Sequence, residues 1–504
     1  MLSKSQIIKN VFSNWGAFII NGLINLSLIP FVLKHLGDAG FGVWVLTNVF
    51  TGYLGLLDLG IRSSVIRYVS KYRAVGDYHS LNQTVSTSLA VFSAIGAFTL
   101  ILTVILSFLF NSIFKIPTEF QSQASWVVIL VGLNLAFSLP AGVFSGILLG
   151  MERFDLNNLF GVILISIKAI LILIIFNFKS SLIILGAIQL LACLVAYSLN
   201  FAAIFKLEPN LKISFKLANI NTLKIIFQHG FFSFLLVVAY QVIYYSPNVL
   251  LGILSSAAMV TYFAMATILV EYTRRAVNGV SLVINPIASG LESKGDFQTL
   301  KRVLILGTKY SLLIILPISL SLIFLGKQFF VLWLGPAYAE KCYPVLLILL
   351  VPQIYSMSQF VTEEVLLGQT KHKFLALVAV SEAILTLILS LILIKKYGII
   401  GAALGVAIPR LLNYSLFSAI YIKQAAEISF KDYFKQSFLP PLWASLPFVI
   451  LLGLVSKFLP AQNLWEFILE VALSGLIFMF LAWNLCFSKE ERKLWVERFS
   501  FLRI

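Results

Sequence analysis

The fold is decided by a six-residue turn, Gly76-Asp77-Tyr78-His79-Ser80-Leu81, which precedes a long apolar run. A matching turn, Gly295-Asp296-Phe297-Gln298-Thr299-Leu300, precedes another such run 219 residues later. Further short matches keep the same order at nearly the same spacing: Leu148-Leu149-Gly150 with Leu366-Leu367-Gly368, Gly186-Ala187 with Gly401-Ala402, and Tyr197-Ser198-Leu199 with Tyr414-Ser415-Leu416. An ordered series of matches predicts that the chain is a duplicated unit.

The composition indicates a polytopic membrane protein. Of the 504 residues, 60% are hydrophobic and only 12% are charged, whereas soluble proteins carry about 25% charged residues. The net charge of +16 is typical of basic cytoplasmic loops, so we expect no nucleic-acid partner. The first apolar run, 11–33, is long enough to remain as a spanning helix instead of a cleaved signal peptide.

Apolar runs of the length that crosses a bilayer, about 20 residues, predict an all-α protein with about fourteen transmembrane helices. The predicted spans are 11–33, 41–66, 84–111, 124–148, 158–177, 181–205, 225–251, 258–282, 303–325, 343–367, 374–394, 399–422, 438–457 and 464–487. The domains that follow are an N-terminal six-helix bundle at 1–206, a cytoplasmic linker at 207–221, a C-terminal six-helix bundle at 222–423, and two additional helices with a tail at 424–504.

The charge distribution predicts the topology and, through it, a mechanism. With both termini in the cytoplasm, most of the 37 Lys and Arg residues fall on the cytoplasmic side, as the positive-inside rule requires. Because each half has six spans, we expect the halves to be related by a pseudo-two-fold axis along the membrane normal. Two bundles with a cleft between them favour transport by alternating access over a purely structural scaffold.

Neither an enzyme nor a metal protein is expected. The longest predicted outer loop, 326–341, carries no acid–base set, and the chain has no phosphate-binding glycine-rich loop. The cysteine and histidine residues are too scattered to form a disulfide frame, a metal site or a cofactor site. They are Cys193, Cys342, Cys486, His35, His79, His229 and His372.

Ionisable residues at membrane depth are costly, and each is therefore a functional candidate. Lys168 and Arg410 fall close to the midplane of their spans, and Pro409 should kink the helix that carries Arg410. Glu382 occupies the place in the second repeat that Lys168 occupies in the first. Two interpretations remain open: Lys168 and Glu382 form an internal ion pair, or Lys168 contacts the substrate.

Two further spans carry charges that can pair within a helix. Asp58 and Arg62 are one turn apart in the second span, and Glu271, Arg274 and Arg275 share one face of the eighth. The alternative is that these arginines extend to the cytoplasmic interface as long side chains often do.

The predicted cleft is therefore cationic. Its candidate substrate-binding residues are Arg62, Lys168, Arg274, Arg275 and Arg410, and its candidate coupling acids are Asp58, Glu271 and Glu382. Such an excess of positive charge predicts an anionic substrate, and guanidinium groups suit phosphate or carboxylate. An exporter of organic cations would instead concentrate carboxylates at the midplane.

Several short motifs carry a resemblance to a known family. They are Asn14-Trp15-Gly16, Leu57-Asp58-Leu59-Gly60, Leu149-Gly150-Met151-Glu152-Arg153-Phe154, Trp333-Leu334-Gly335-Pro336 and Gly398-Ile399-Ile400-Gly401-Ala402-Ala403. With this ordered set, nearly the whole chain resembles the polysaccharide-transport branch of the multidrug/oligosaccharidyl-lipid/polysaccharide (MOP) exporter superfamily. It is similar to the bacterial O-antigen and repeat-unit flippases.

The resemblance implies a V-shaped pair of six-helix bundles in the bacterial inner membrane. It implies that the substrate and partner is an undecaprenyl-pyrophosphate-linked oligosaccharide, moved to the outer leaflet among membrane lipids during lipopolysaccharide or other surface-polysaccharide biosynthesis. Coupling to Na⁺ or H⁺, and contact with other polysaccharide-assembly membrane proteins, stay open. The alternative is a cation-coupled multidrug exporter of the same superfamily, but such exporters usually have twelve spans, so the two extra helices favour a lipid-linked substrate.

Overall fold

The computed structural model describes residues 4–58, 60–227, 231–281, 284–369, 371–489 and 491–493. Within these ranges all regular structure is helical, and no strand is present. The predicted all-α class is therefore confirmed. His229 and the end of the predicted C-terminal tail, 494–504, lie outside the described residues.

The chain packs as two compact units, residues 1–261 and 262–504. The first contains α1 (Lys4–Leu54), a 3-10 turn (Gly55–Asp58), α2 (Ile61–Ala74), α3 (Tyr78–Ile113), α4 (Thr118–Gly150), α5 (Phe154–Ile175), α6 (Leu182–Leu207), a 3-10 turn (Phe215–Leu217), α7 (Ile220–Phe227), α8 (Phe231–Leu254) and the start of α9 (Ala257–Ser281). The second contains the rest of α9, α10 (Ile284–Ser293), α11 (Phe297–Leu334), α12 (Pro336–Gly368), α13 (His372–Ala426), α14 (Phe430–Ser437), α15 (Leu439–Phe458) and α16 (Leu464–Leu485). The predicted domain boundaries stay a prediction.

The repeated Gly-Asp turn has the same structure in both halves. Gly76 and Gly295 have φ angles of 72° and 66°, in the left-handed region that glycine enters at little steric cost. Each turn reverses the chain immediately before a long helix, α3 in the first half and α11 in the second. The matching sequences therefore adopt the same backbone conformation, in which a left-handed glycine precedes the start of a long helix.

The aspartate of each turn caps the helix that follows. The Asp77 carboxylate accepts a hydrogen bond from the Ser80 backbone N–H at 3.0 Å, and Asp296 accepts one from Thr299 at 3.0 Å. Hydrogen bonding from the side chain and the backbone of Ser80 lowers the pKa of Asp77, and hydrogen bonding from Thr299 lowers the pKa of Asp296 in the same way. Each cap satisfies a backbone donor that the first helical turn leaves without a partner.

The second predicted span, 41–66, is wrong beyond Leu54. There α1 ends, a 3-10 turn occupies Gly55–Asp58, and a separate helix, α2, begins at Ile61. Gly60 precedes α2 with a φ of 77°. The run of apolar residues continues through this region, but the backbone changes direction at the glycines, and hydropathy alone does not detect such a break.

The predicted outer loop, 326–341, is also wrong. Helix α11 continues to Leu334 and α12 starts at Pro336, which leaves only Gly335 between them. The φ of 99° at Gly335 and the ring of Pro336, which suits the first helical position, make a tight connection. The polar residues that suggested a loop instead lie on helix ends.

Eleven helices of the described chain are long and apolar enough to cross a membrane, which supports the multi-pass class. Two of them, α1 and α13, contain non-helical glycines, Gly37 and Gly398, at the places where the sequence predicts a boundary between two spans. Helix α9, another predicted span, is not among the eleven. The count of fourteen crossings therefore stays a prediction.

The segment predicted as a linker, 207–221, packs along α3. The side chain of Asn82 accepts a hydrogen bond from the Lys212 backbone N–H at 2.9 Å, and Thr87 accepts one from Asn219 at 3.1 Å. Because both acceptor side chains belong to α3, the segment is fixed against that helix at Lys212 and at Asn219, just before α7 begins.

Candidate functional site

Lys168 is the candidate cation of the first unit. It projects from the middle of α5, and its ammonium donates to the Gln189 side-chain oxygen on α6 at 3.0 Å. The same nitrogen lies 5.7 Å from the centre of the Trp44 ring. In the described part of this unit, the contacts of Lys168 are thus a neutral amide and an aromatic face, and no carboxylate forms an ion pair with it.

Polar groups continue from Lys168 along α6. Cys193 lies one turn after Gln189, and Tyr197 lies one turn after Cys193. Gln189, Cys193 and Tyr197 recur every four residues and therefore share one face of α6; the sequence analysis did not identify this polar face.

Arg62 and Asp58 do form a pair, but not on one helix as predicted. Asp58 closes the 3-10 turn, whereas Arg62 lies in the first turn of α2. The Arg62 Nε lies 3.7 Å from the carboxylate, and the side chains are 43% and 31% exposed. The Arg62 guanidinium is also close to Gly142 of α4, where an added Cβ would collide with it. The backbone break before α2 therefore positions this arginine against α4.

Glu271, Arg274 and Arg275 pair within α9, as predicted. Arg274 donates two hydrogen bonds of 2.7 Å to the two carboxylate oxygens of Glu271. Arg275 donates a third, of 2.9 Å, to the same carboxylate. One carboxylate thus faces two guanidinium groups, and the cluster keeps a net positive charge.

Arg410 and Glu382 form a buried ion pair between the two segments of α13. The Arg410 Nε lies 3.1 Å from Glu382, and the two side chains are only 7% and 5% exposed. A second nitrogen of Arg410 donates to Gln353 of α12 at 3.2 Å, and the Asn413 amide donates to the other oxygen of Glu382. In the described chain, the second amide atoms of these two side chains, Gln353 Nε2 and Asn413 Oδ1, have no hydrogen-bond partner.

These contacts give Lys168 and Glu382 separate partners. The sequence placed opposite charges at matching positions of the two repeats, and Glu382 satisfies its charge within its own unit through Arg410. Arg410 is therefore held by a carboxylate in this conformation, whereas Lys168 is held by an amide. The role of each predicted residue in binding or coupling stays a prediction.

Two buried acid contacts of the second unit were missed by the sequence analysis. Glu363 on α12 accepts a hydrogen bond of 2.6 Å from the Tyr414 hydroxyl on α13. Glu491, after α16, accepts two hydrogen bonds of 2.9 Å from Lys309 on α11. The spacing of Ser488 and Glu491 is that of a capping box, which predicts the helix start but not the contact of Glu491 with Lys309.

The described residues include no group of three or more His, Cys, Asp or Glu side chains that could hold a metal ion. Cys193, Cys342 and Cys486 are buried, and none of them forms a disulfide within the described residues.

The fold is similar to that of solved flippase and MATE transporter structures. The structure aligns with lipid II flippase MurJ in an inward closed conformation at a TM-score of 0.71 and 16% sequence identity, covering 94% of this chain and 98% of MurJ. It aligns with an inward-facing multidrug resistance MATE family transporter of the MOP superfamily at a TM-score of 0.70 and 15% identity, covering 83% and 99% of the two chains. No model of a known protein family matches the chain.

The sequence relatives bear out the predicted resemblance to the polysaccharide-transport branch. The chain is 26% identical over 435 residues to a Shigella flexneri protein named "Putative O-antigen transporter", covering 84% of this chain and 99% of the relative. It is 22% identical over 505 residues to the "Uncharacterized membrane protein EpsK" of Bacillus subtilis (strain 168), covering 97% of each. Apart from EpsK, whose name states only a membrane protein, these proteins are named as transporters or flippases and not as enzymes.

Proposed function

We propose that the protein is an alternating-access flippase for an undecaprenyl-pyrophosphate-linked oligosaccharide. The oligosaccharide would be an O-antigen or another surface-polysaccharide repeat unit, moved from the inner to the outer leaflet of the bacterial inner membrane. Similarity to the named Shigella flexneri transporter over nearly all of that relative supports this substrate class. The fold shared with a lipid II flippase supports the type of transport.

The environment of the Lys168 ammonium is the observation that carries the proposal. Its ammonium lies in the middle of a long apolar helix and contacts an amide oxygen and an aromatic ring. Among the described residues no carboxylate pairs with Lys168, and a cation at membrane depth is costly; an arriving diphosphate would supply a negative charge. The pair of arginines that share Glu271 adds further positive charge. An anionic substrate therefore fits the charge of these sites better than a cationic one.

A reconstituted assay tests the proposal directly. The full chain is placed in vesicles with a fluorescent polyprenyl-diphosphate disaccharide, and transfer between leaflets is measured by its protection from a membrane-impermeant reductant. We expect Lys168→Gln to reduce transfer by more than about tenfold and Lys168→Arg to retain more of it, because a charged hydrogen bond is worth roughly 1.5–3 kcal/mol. Lys179→Gln, which removes an exposed lysine after the same helix, is the matched control. Equal transfer by vesicles with and without the protein would overturn the proposal.

Coupling and partners belong to the same proposal. Asp58, Glu271 and Glu382 are the carboxylates that would respond to Na⁺ or H⁺, and each already contacts an arginine that could exchange with a cation. Both termini would lie in the cytoplasm. Other polysaccharide-assembly proteins and membrane lipids would be the remaining partners. Transfer measured with imposed Na⁺ and pH gradients identifies the coupling ion, and transfer unaffected by either gradient would exclude both.

A cation-coupled multidrug exporter is the second candidate, and the buried acids of the second unit favour it. Glu363 and Glu382 are both less than one-tenth exposed and lie on neighbouring helices, α12 and α13. Buried carboxylates at membrane depth can bind organic cations or protons. Efflux of a cationic dye from the same vesicles, without transfer of the diphosphate lipid, would select this function over the first.

A further inference from the structure

Helix α14 is fixed to the second unit along one narrow face. The Tyr433 side chain is fully buried, and its hydroxyl lies 2.9 Å from that of Thr308 on α11 and 3.4 Å from that of Thr362 on α12. Ser437, one turn later, is also fully buried. Because the anchoring contacts reach two long helices of the unit, α14 has a defined orientation.

The sector of α14 next to this anchor is aromatic and exposed. Phe430 and Phe434 are 40% and 38% exposed, and their ring centres lie 6.2 Å apart. Phe434 stacks in turn on Phe438 at 5.1 Å. Trp443, near the start of α15, is 59% exposed. Phe and Trp side chains on one side of a helix are typical of helices that lie in the membrane interface.

The next sector carries two exposed lysines, Lys431 and Lys435. Residues four apart lie on one side of a helix, and a turn of about 3.6 residues places this pair beyond the aromatic sector as seen from Tyr433. The acid within α14, Asp432, accepts a hydrogen bond from Ser429 in the helix cap at 2.7 Å. Around α14 the order is therefore buried anchor, exposed rings, exposed ammonium groups.

We propose that α14 is a binding surface for anionic phospholipid headgroups. It joins α13 and α15, both long and apolar enough to cross a membrane, so it lies where the chain passes through the interface. Rings at the acyl boundary with lysines just beyond them match the requirements of an interfacial helix on an anionic surface. This surface lies on the side predicted to be cytoplasmic, and its proposed role is independent of the transported substrate.

A local fluorescence measurement tests this surface. The three native cysteines are buried, so a Gln436→Cys variant of the full chain can be labelled selectively on the exposed polar side of α14. The labelled protein is placed in nanodiscs of equal parts phosphatidylcholine and phosphatidylglycerol, with bromine on the acyl chains of one lipid at a time. We expect quenching by brominated phosphatidylglycerol to exceed quenching by brominated phosphatidylcholine.

Charge-matched variants identify the residues responsible. We expect Lys431→Gln with Lys435→Gln to remove the phosphatidylglycerol excess, with a loss of about fivefold in preference for each lysine, since one basic residue near an anionic surface contributes about 1 kcal/mol. Lys395→Gln with Lys396→Gln removes two exposed lysines from α13 beside the Gly398 kink and should leave the quenching unchanged. Phe434→Ser should weaken quenching by both lipids.

Three outcomes would overturn the proposal. They are equal quenching by the two lipids in the parent protein, an excess that survives removal of both lysines, and protection of the label by an added protein with no lipid quenching at all. The last would show that α14 is a face for a protein partner. Because no step of the measurement involves transport, failure of the proposed flippase function would leave its result intact.

Discussion

The ammonium of Lys309 on α11 lies 2.9 Å from both carboxylate oxygens of Glu491, which follows α16. Their side chains are 7% and 11% exposed. The Ser488 backbone N–H donates to the same carboxylate at 2.7 Å, and the Ser488 hydroxyl accepts from the Glu491 backbone N–H at 3.2 Å. The ion pair fixes the segment after the last long helix to α11, and the reciprocal cap fixes the position of Glu491 within that segment.

Breaking this pair should destabilise the second unit. Removing one partner leaves a buried charge uncompensated, a loss of about 3–5 kcal/mol. We expect Lys309→Met and Glu491→Gln each to lower the midpoint of thermal unfolding of the purified protein. The reversed pair, Lys309→Glu with Glu491→Lys, should recover part of the loss. Lys435→Gln, an exposed lysine, is the control, and single variants as stable as the parent would contradict the buried pair.

Arg410 should be needed both for the amount of protein and for transport. Arg410→Met leaves Glu382 buried without its cation, so we expect less protein in the membrane. Arg410→Lys should recover little, because a single ammonium does not reproduce the planar contacts to Glu382 and Gln353. Measured lipid transfer is expected to fall with both variants.

The double variant Arg410→Met with Glu382→Gln separates the two roles of Arg410. It removes both charges, so we expect the amount of protein to recover while lipid transfer stays low at equal amount. Recovered transfer would show that the arginine serves only to hold Glu382. Immunoblotting of membrane fractions supplies the normalisation.

Supplying Lys168 with a carboxylate should abolish transport without loss of protein. Gln189→Glu places a carboxylate where the amide oxygen now lies, 3.0 Å from the Lys168 ammonium. The new carboxylate neutralises the positive charge that we propose binds the anionic substrate. Gln189→Met leaves the cation without a competing anion and is the control. Transfer by Gln189→Glu equal to that of the parent would refute the role of Lys168. We expect the exchange Lys168→Glu with Glu382→Lys to fail, because Glu382 pairs with Arg410.

Residues at the two ends of α11 should react on opposite sides of the membrane. Lys294 and Ala337 are exposed and lie just outside Phe297–Leu334. We expect an impermeant maleimide added to intact cells to label Ala337→Cys, and to label Lys294→Cys only after permeabilisation. The parent protein should stay unlabelled because its cysteines are buried. Labelling of both variants in intact cells would overturn the predicted topology.

The sequence by itself determined the features that depend on local chemistry. Long apolar runs specify membrane helices because backbone polar groups must be satisfied within each helix. The repeated Gly76-Asp77 turn specifies a left-handed residue and a helix cap, and charges at i+3 and i+4, as at Glu271 and Arg274, pair on the helix that bears them. These features involve neighbours within a few residues, so the pattern of the sequence contains them.

Only the tertiary structure decided which distant charges pair. Arg410 pairs with Glu382, which is 28 residues away in the sequence, and Lys309 pairs with Glu491, which is 182 residues away. Lys168 occupies the position in the first repeat that Glu382 occupies in the second, but it donates a hydrogen bond to Gln189 instead. The choice depends on the rotation of each helix about its axis and on which helices are neighbours, and many side chains along each helix contribute small packing energies to both. A pattern of charges in the sequence therefore gives the candidates, and the packing of the helices assigns their partners.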